Sequence, residues 1–277
     1  MNKIINGKEI ANLLKQEIKD KVTGIKEQLT LAVIQVGNNP ASDIYVNNKK
    51  KMCEEIGINF ILYKYEQTTT NEIVTKIKEL NEDTKVTSIL VQLPLTDNLD
   101  KTKIIESIDP KKDVDGLTSQ NIGKLYNNLP AIIPCTAYGI LKILENKEIE
   151  LSRKDIVIIG RTTLVGIPLG ALLMNKNATV TICHSKTNNL EEKTKNADIL
   201  IVAAGKKHLV TSEIIKQDQI IIDVGITRED NKLYGDVDFD NCLDKCNMIT
   251  PVPGGVGPMT IIMLMNNIIE CFELQSK

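Results

Sequence analysis

Short runs of apolar and β-branched residues recur along the chain, and segments with helical spacing separate them. The runs lie at 29–37, 58–65, 87–93, 155–160, 178–183, 197–204 and 219–225. This alternation is typical of βαβ units, whose strands are parallel. Because the runs are apolar along nearly their whole length, we expect helices on both faces of each sheet. The sequence therefore predicts an α/β protein with two domains built from βαβ units.

The length of 277 residues suits two domains of ordinary size. A helical pattern at 137–148 leads from the first set of strands to the second, and another at 260–274 follows a loop rich in glycine and proline. We expect the last helix to return to the first domain. The predicted domains are 1–136 with 258–277, and 137–257.

Composition argues against several classes of partner. Lys and Arg number 34 and Asp and Glu 36, so the net charge is only -2, and the longest basic run is Lys49–Lys51. Nucleic-acid binding needs a broader basic surface. No stretch approaches the roughly 20 apolar residues of a membrane span, and the start lacks the features of a leader. We predict a soluble, cytoplasmic protein that binds neither nucleic acid nor membrane.

The six cysteines are scattered through a chain long enough to fold without disulfides, which favours reduced thiols. Cys242 and Cys246 form a C-x3-C pair, but no second pair stands at metal-ligand spacing. The two histidines, His184 and His208, are distant in sequence. We therefore predict structural cysteines and no metal site.

A candidate dinucleotide site begins at the fourth run. Gly160 ends the run and Gly166 opens a helix, where backbone N–H groups and the helix dipole can hold a pyrophosphate. The middle glycine of the G-x-G-x-x-G pattern is missing, so this segment alone could equally be an ordinary turn between strand and helix. The position marks a candidate Rossmann-type domain.

The end of the next run indicates which dinucleotide binds there. NAD enzymes generally place an acidic residue at this point, whereas this chain has His184, Ser185 and Lys186. Together with Arg161, these donors suit a phosphate better than a hydroxyl. Taken alone, Arg161 could equally well form an ion pair with a surface carboxylate. His184 alone could equally well be a residue at the sheet edge with its hydrogen bonds satisfied. Their joint placement favours NADP.

A second candidate site follows the first run. Ser42 is a candidate helix cap, and Tyr45 and Lys49 then lie four residues apart on one helix face. Taken alone, Lys49 matches a solvated lysine and Tyr45 a packing residue. Gln92 adds support, because an apolar strand rarely ends in a buried amide without a partner.

Two further segments carry candidate residues. Asp113 and Asp115 flank a turn that Gly116 completes, and for Asp113 we favour a role in stabilising the turn. The segment 251–260 contains three glycines among three prolines, which predicts a stiff loop that a flat ligand can approach closely.

Several strings in this order resemble one family along essentially the whole chain. They are VGNNPASDIYVNNKKK, ILVQLPL, KDVDGL, PCTAYG, GRTTLVGIP, TVTICHSKT, IIDVGI, YGDVDF and TPVPGGVGPMT. The chain is similar to the bifunctional methylenetetrahydrofolate dehydrogenase/methenyltetrahydrofolate cyclohydrolase family. The resemblance implies a cleft between the two domains, NADP as cofactor, a folate substrate, a homodimer, and a place in one-carbon metabolism and purine biosynthesis.

The resemblance also implies residue roles. Lys49 would be the general acid and base, Gln92 would orient it, Tyr45 would stack on the folate, and Asp115 would bind the pterin edge. The remaining predicted substrate-binding residues are Gly257 and Pro258. The predicted cofactor-binding residues are Gly160, Arg161, Thr162, Val165, Gly166, His184, Ser185 and Ile226.

Three positions depart from the usual pattern of the family: Thr162 stands where Ser is common, and Ala137 and Lys207 stand where Pro is common. None belongs to the predicted chemistry. Without proline at 137, we expect the start of the interdomain helix to be less rigid, which would affect how far the cleft opens. Two alternatives stay open: a dehydrogenase without hydrolase activity, and a non-catalytic protein that senses NADP.

Overall fold

The computed structural model describes residues 3–230 and 232–276, and these form two compact units. The three-stranded unit takes the described residues of 13–135 and 261–277. The five-stranded unit takes those of 1–12 and 136–260. Each unit contains its own parallel sheet.

The strands are β1 Thr30–Val36, β2 Asn59–Tyr65, β3 Ser88–Val91, β4 Asp155–Ile159, β5 Thr179–Cys183, β6 Ile199–Val202, β7 Ile220–Asp223, β8 Thr227–Glu229, β9 Lys232–Tyr234 and β10 Met248–Ile249. The helices are α1 Gly7–Gly24, α2 Pro40–Ile56, α3 Thr70–Glu82, α4 Lys101–Glu106, α5 Ser119–Tyr126, α6 Cys135–Asn146, α7 Gly166–Met174, α8 Leu190–Asn196, α9 Phe239–Leu243 and α10 Val256–Gln275. A short 3-10 helix covers Ser212–Ile214.

The three-stranded unit has the strand order β2-β1-β3, with every pair parallel. All seven residues of the central β1 are buried, as expected for a strand covered on both faces. The edge strand β2 instead alternates between exposed and half-buried residues. Because the strands are parallel, the carboxyl ends of β1 and β3 meet at one edge of the sheet.

The five-stranded unit has the strand order β10-β7-β6-β4-β5, again parallel throughout, and β8 and β9 form a separate antiparallel ribbon. The strand order reverses beside β4, since β5 lies on one side of it and β6 on the other. In open parallel sheets such a reversal leaves a crevice outside the carboxyl ends of the strands, where ligands bind.

The sequence prediction of two parallel α/β sheets is confirmed, and all seven predicted strands are present with ends that differ by at most two residues. Three helix starts differ, and the first difference is that α6 begins at Cys135, two residues before the predicted start at 137. The chain enters α2 at Pro40, so Ser42 lies buried inside the helix and is not its cap. Proline suits a first helical position because its missing N–H would have no partner there.

The last helix α10 begins at Val256, earlier than the predicted start at 260. Gly257 and Pro258 therefore lie in its first turn, and the stiff loop that precedes it is shorter than the sequence pattern predicted. Pro258 fits the first turn for the same reason as Pro40.

The first residues of the chain lie in the five-stranded unit, whereas the predicted division placed residues 1–12 in the other domain. Backbone hydrogen bonds explain the difference: Ile5 N–H donates to Ile249 O at 2.8 Å, and Lys8 N–H donates to Gly254 O at 3.1 Å. Such pairing with a sheet edge is not visible in a single short apolar segment.

All six cysteines are free and buried. Cys242 and Cys246 belong to the hydrophobic core of the five-stranded unit, in keeping with their predicted structural role. Within residues 3–230 and 232–276, none of the helices has the length and apolar character that a membrane crossing requires.

Candidate active site

A lysine and a glutamine meet at the carboxyl edge of the three-stranded sheet. Lys49 lies on α2, which follows β1, and Gln92 directly follows the last residue of β3. Lys49 Nζ donates a hydrogen bond to Gln92 Oε1 at 2.8 Å. Gln92 Nε2 in turn donates to Leu93 O at 2.6 Å, which fixes the amide with its oxygen toward the lysine.

The Lys49 ammonium group is poorly hydrated, although the residue as a whole is only half-buried. Burial lowers the pKa of Lys49 from its ordinary value, while the nearby carboxylate of Asp115 acts in the opposite direction. A lysine with a lowered pKa can exist as a neutral amine at a pH where most lysines are charged. The arrangement suits a group that exchanges protons with a ligand.

Tyr45 lies one helical turn before Lys49 on α2 and is 44% exposed. A large aromatic ring left open to solvent, one helical turn from a half-buried polar pair, is available to stack on a flat ligand. Asp115, which is half-buried, lies near enough to Lys49 to affect its pKa. Lys49, Gln92, Tyr45 and Asp115 therefore lie in one unit at one sheet edge.

Asp113 has a structural role. Its Oδ2 accepts hydrogen bonds from the Thr118 N–H at 2.8 Å and from Asn121 Nδ2 at 3.0 Å. The carboxyl is buried, and burial raises its pKa. These contacts agree with the role in the turn that the sequence favoured, and they hold the backbone that precedes Asp115.

Several residues that the sequence pattern did not single out support this edge. Gln35, buried in β1, donates from Nε2 to Asp43 Oδ1 at 2.7 Å, and Lys64 Nζ donates to the same oxygen at 2.8 Å. These bonds tie the start of α2 to the ends of β1 and β2. A glutamine within an otherwise apolar strand was the available signal.

Asn267 is a second missed residue. It is buried on α10, and its Nδ2 donates to Val114 O at 2.9 Å and to Ile133 O at 2.8 Å. The first of these bonds fixes the residue next to Asp115. An asparagine in the middle of an apolar helix was a signal of such a contact, because its side chain favours polar partners.

In the five-stranded unit, a tight turn joins β4 to α7. Gly160 has a φ of +134°, which a residue with a Cβ rarely adopts. A Cβ on Gly166 would lie 1.9 Å from Gly160 O, so only glycine allows this close approach. The turn places the start of α7 at the carboxyl edge of the sheet, where the positive end of the helix dipole favours a pyrophosphate, although the Ile167 N–H already donates to Thr162 O at 3.1 Å.

The residues after β5 form a polar turn. Thr187 Oγ1 accepts from the His184 N–H at 2.8 Å, and His184 Nδ1 accepts from the Lys186 N–H at 3.1 Å. In a neutral imidazole that accepts at Nδ1, Nε2 carries the proton and is a donor. Ser185 and Lys186 are exposed, so the turn presents several donors to solvent.

Arg161 is exposed directly after Gly160. Among the residues that the structure describes, no carboxylate lies within 4.0 Å of its guanidinium group, so the surface ion pair considered above is not formed there. The guanidinium group of Arg161, the ring N–H of His184 and the hydroxyl of Ser185 suit a phosphate dianion at the ends of β4 and β5.

The other predicted binding residues also lie at strand ends or helix starts. Thr162 and Val165 belong to the turn between β4 and α7, and Ile226 follows β7 with 43% of its surface exposed. Gly257 and Pro258 lie in the five-stranded unit, in the first turn of α10.

Two of the three unusual positions have evident local roles. Ala137 is fully buried in the first turn of α6. Lys207 forms an ion pair with Glu229, and its Nζ lies 3.7 Å from the centroid of the Tyr234 ring. Lys207 therefore holds the ribbon formed by β8 and β9.

Comparisons with known proteins agree with this layout. Residues 5–115 match the model of the tetrahydrofolate dehydrogenase/cyclohydrolase catalytic domain, and residues 134–276 match the NAD(P)-binding domain of the same family. The bifunctional protein FolD of Agathobacter rectalis is 49% identical over 99% of this chain and 100% of its own length.

Solved structures give the same result. The bifunctional methylenetetrahydrofolate dehydrogenase/cyclohydrolase of Campylobacter jejuni superposes with a TM-score of 0.94 at 45% identity, covering 98% of this chain and 99% of its own. The Trypanosoma brucei enzyme, complexed with NADP cofactor and inhibitor, gives a TM-score of 0.94 at 33% identity over 99% of this chain and 98% of its own. The chain belongs to the tetrahydrofolate dehydrogenase/cyclohydrolase family.

Proposed function

We propose that this protein oxidises methylenetetrahydrofolate to methenyltetrahydrofolate with NADP, and then hydrolyses the product to 10-formyltetrahydrofolate. The observation that carries the proposal is the hydrogen bond between Lys49 Nζ and Gln92 Oε1 at the edge of the three-stranded sheet. Relatives that cover almost the whole chain are named as bifunctional enzymes of this kind, which supports both activities.

The hydride step depends on placement. When bound, NADP supplies the hydride acceptor. A nitrogen next to the reacting carbon stabilises the cation that remains on the folate, so no protein base is required. The protein contributes by holding the two reactants close together in a productive orientation. Tyr45 would stack on the folate ring, Asp115 would bind the pterin edge, and Gly257 and Pro258 would line the substrate.

Hydrolysis requires proton transfer. Water loses a proton as it attacks the methenyl carbon, and a ring nitrogen gains a proton when the carbon–nitrogen bond breaks. A neutral Lys49 amine can accept the first proton, and the resulting ammonium group can donate the second. Burial and the positive charge of the substrate both favour the neutral amine at the start, and Gln92 fixes its position.

The residues of the five-stranded unit fit NADP. The glycine turn between β4 and α7 would hold the pyrophosphate, with Thr162 and Val165 beside it. Arg161, His184 and Ser185 would bind the 2′-phosphate, while Ile226 would contact the cofactor after β7.

We propose that the enzyme acts in the cytoplasm as a homodimer, in the one-carbon metabolism that supplies purine biosynthesis. Light scattering coupled to size-exclusion chromatography would measure the molar mass. A mass equal to that of one 30.8 kDa chain would contradict the dimer.

Two alternatives are separated by one assay. Purified protein is mixed with methylenetetrahydrofolate and NADP, and NADPH formation and methenyl decay are followed separately. NADPH formation without accelerated methenyl decay would indicate a dehydrogenase alone, and no change in either signal would favour an NADP sensor. We expect both signals to change.

Lys49→Ala should separate the two activities. We expect methenyl hydrolysis to fall by about 10²- to 10⁴-fold, the range of general acid–base catalysis, while NADP reduction stays measurable. The matched control is Lys50→Ala, because Lys50 is the exposed neighbour, and its ion pair with Glu54 is long at 3.9 Å. Unchanged hydrolysis in purified Lys49→Ala protein would remove Lys49 from the mechanism.

The pH dependence of hydrolysis should report the environment of Lys49. The base is active when neutral, so kcat/KM should rise with pH through a midpoint below the ordinary lysine value. The Asp115 carboxylate raises the pKa of Lys49, so Asp115→Asn should move this midpoint to lower pH, apart from any loss of substrate affinity. Asp97→Asn, at an exposed position, is the control. A midpoint that stays in place would refute the coupling.

Arg161→Ala combined with Ser185→Ala should affect NADP far more than NAD. Charge-assisted hydrogen bonds to the 2′-phosphate would be lost, so we expect the KM for NADP to rise about tenfold or more. The KM for NAD, which lacks that phosphate, should change little. Arg228→Ala in the exposed strand β8 is the control, and equal changes for both cofactors would contradict the phosphate assignment.

A further inference from the structure

Asp236 holds the loop that follows β6. The residue is fully buried, and its carboxylate accepts three backbone hydrogen bonds. Its Oδ2 accepts from the N–H groups of Ala204 at 2.6 Å and Gly205 at 2.9 Å, and its Oδ1 accepts from that of Lys206 at 2.7 Å. Three consecutive N–H groups that would otherwise need other partners are thereby fixed by one side chain.

Asp223, the last residue of β7, has a similar role. Its Oδ1 accepts from the N–H groups of Gly225 at 3.2 Å and Asp236 at 3.0 Å, and its Oδ2 accepts from that of Val237 at 2.9 Å. Asp223 thus holds the loop that follows β7 and also the backbone of Asp236. The two carboxylates form one connected network.

Two glycines make room for these carboxylates. A Cβ on Gly225 would lie 2.0 Å from Asp236 Cγ, and a Cβ on Gly235 would lie 1.9 Å from Asp223 Oδ2. The Asp236 carboxylate therefore packs on the backbone of Gly225, two residues after Asp223. The Asp223 carboxylate packs on the backbone of Gly235, directly before Asp236. Neither position tolerates a larger residue without displacing the network.

Thr250 extends the network to β10. The Asp223 N–H donates to Thr250 Oγ1 at 2.7 Å, and Thr250 Oγ1 lies 3.3 Å from Asp223 O, to which it donates. Thr250 directly follows β10 and precedes the loop that leads into α10. The network joins the carboxyl ends of β6, β7 and β10. These three strands are consecutive in the sheet and lie on one side of β4.

The Asp223 carboxylate is buried at a cost in free energy. Among the described residues, no cation forms an ion pair with either carboxylate. Burial, together with the negative charge of Asp236, raises the pKa of Asp223 to about 7. The raised pKa indicates that backbone hydrogen bonds offset the burial of the Asp223 carboxylate only in part, and such a cost at the end of β7 fits a role for the loops that the two carboxylates hold.

The position of these loops, after β6 and β7, places them beside the nicotinamide half of the proposed cofactor. The pyrophosphate site lies at the end of β4, and the predicted 2′-phosphate site of the adenosine half lies at the end of β5, on one side of β4. The nicotinamide half must then extend over the other side, where β6 and β7 end. The loops at 203–206 and 224–226 line that side.

We propose that Asp236 and Asp223 are positioning residues for the nicotinamide half of NADP, acting through the backbone of the loops after β6 and β7. The inference rests on the proposed use of NADP. Neither residue touches the reacting atoms. Their effect is to fix loop backbone that the nicotinamide ribose and ring contact, so hydride transfer depends on them and methenyl hydrolysis does not.

The test compares Asp236→Asn with Asp240→Asn, an exposed residue of α9 in the same segment. Asparagine offers one acceptor oxygen and an NH2 group that faces backbone donors, so at least one of the three N–H bonds is lost. Binding of NADPH and of 2′,5′-ADP, which represents the adenosine half with its 2′-phosphate, is measured by fluorescence titration and competition. Hydrolysis of methenyltetrahydrofolate is measured without NADP.

We expect Asp236→Asn to weaken NADPH binding about tenfold or more, while 2′,5′-ADP affinity stays within about twofold and hydrolysis within about threefold. Asp240→Asn should match the wild-type protein in all three. Equal loss of NADPH and 2′,5′-ADP, or wild-type NADPH affinity, would overturn the inference. Failure of the wild-type protein itself to bind NADPH would instead refute the proposed function on which it rests.

Thr250→Val provides a second variant in case Asp236→Asn does not fold, as judged by lost hydrolysis and an absent thermal transition. Valine has nearly the shape of threonine and removes only the hydroxyl that links Asp223 to the end of β10. We expect the same pattern with a smaller effect, about threefold or more on NADPH affinity. Wild-type NADPH affinity in this variant would contradict the proposed role of the network in cofactor binding.

Discussion

Burial of the Lys49 ammonium group is the constraint on which the rest of the proposed chemistry depends. A parallel sheet brings the ends of β1 and β3 together, so a helix that follows one strand can meet an amide that follows the other. Burial lowers the pKa of Lys49, and Asp115 opposes that shift. A lysine whose pKa is lowered becomes neutral at a lower pH than a fully hydrated lysine does, which is the property that the proposed proton transfer requires.

The two proposed reactions make different demands on the chain. Hydrolysis needs a group whose pKa is adjusted, and the three-stranded unit supplies it. Hydride transfer needs accurate placement of the cofactor, and the five-stranded unit supplies rigid backbone at its sheet edge. There the glycine turn after β4 and the two buried carboxylates both fix backbone at strand ends. The turn depends on the close approach of Gly166 to Gly160, and the carboxylates accept hydrogen bonds from loop N–H groups.

Strand positions and the tight turn at Gly160 and Gly166 could be predicted because they depend on local pattern: apolar runs and glycines. Lys49 alone matched a solvated lysine, and the roles of Lys49 and Gln92 came from the resemblance to the family. Contacts between distant segments could not be predicted. Pairing of Ile5 with Ile249, and the hold of Asp236 on the loop after β6, join residues far apart in sequence. The start of α2 at Pro40 was missed because Ser42 offered an equally valid capping signal.

The most direct test of the account is an NMR titration of the side-chain nitrogens in protein labelled with 15N-lysine, with the Lys49 signal assigned by its loss in Lys49→Arg. The account predicts that Lys49 titrates below the ordinary lysine pKa of about 10.4, whereas exposed lysines titrate near it. A midpoint for Lys49 at or above that value would contradict the claim that burial prepares this lysine for proton transfer.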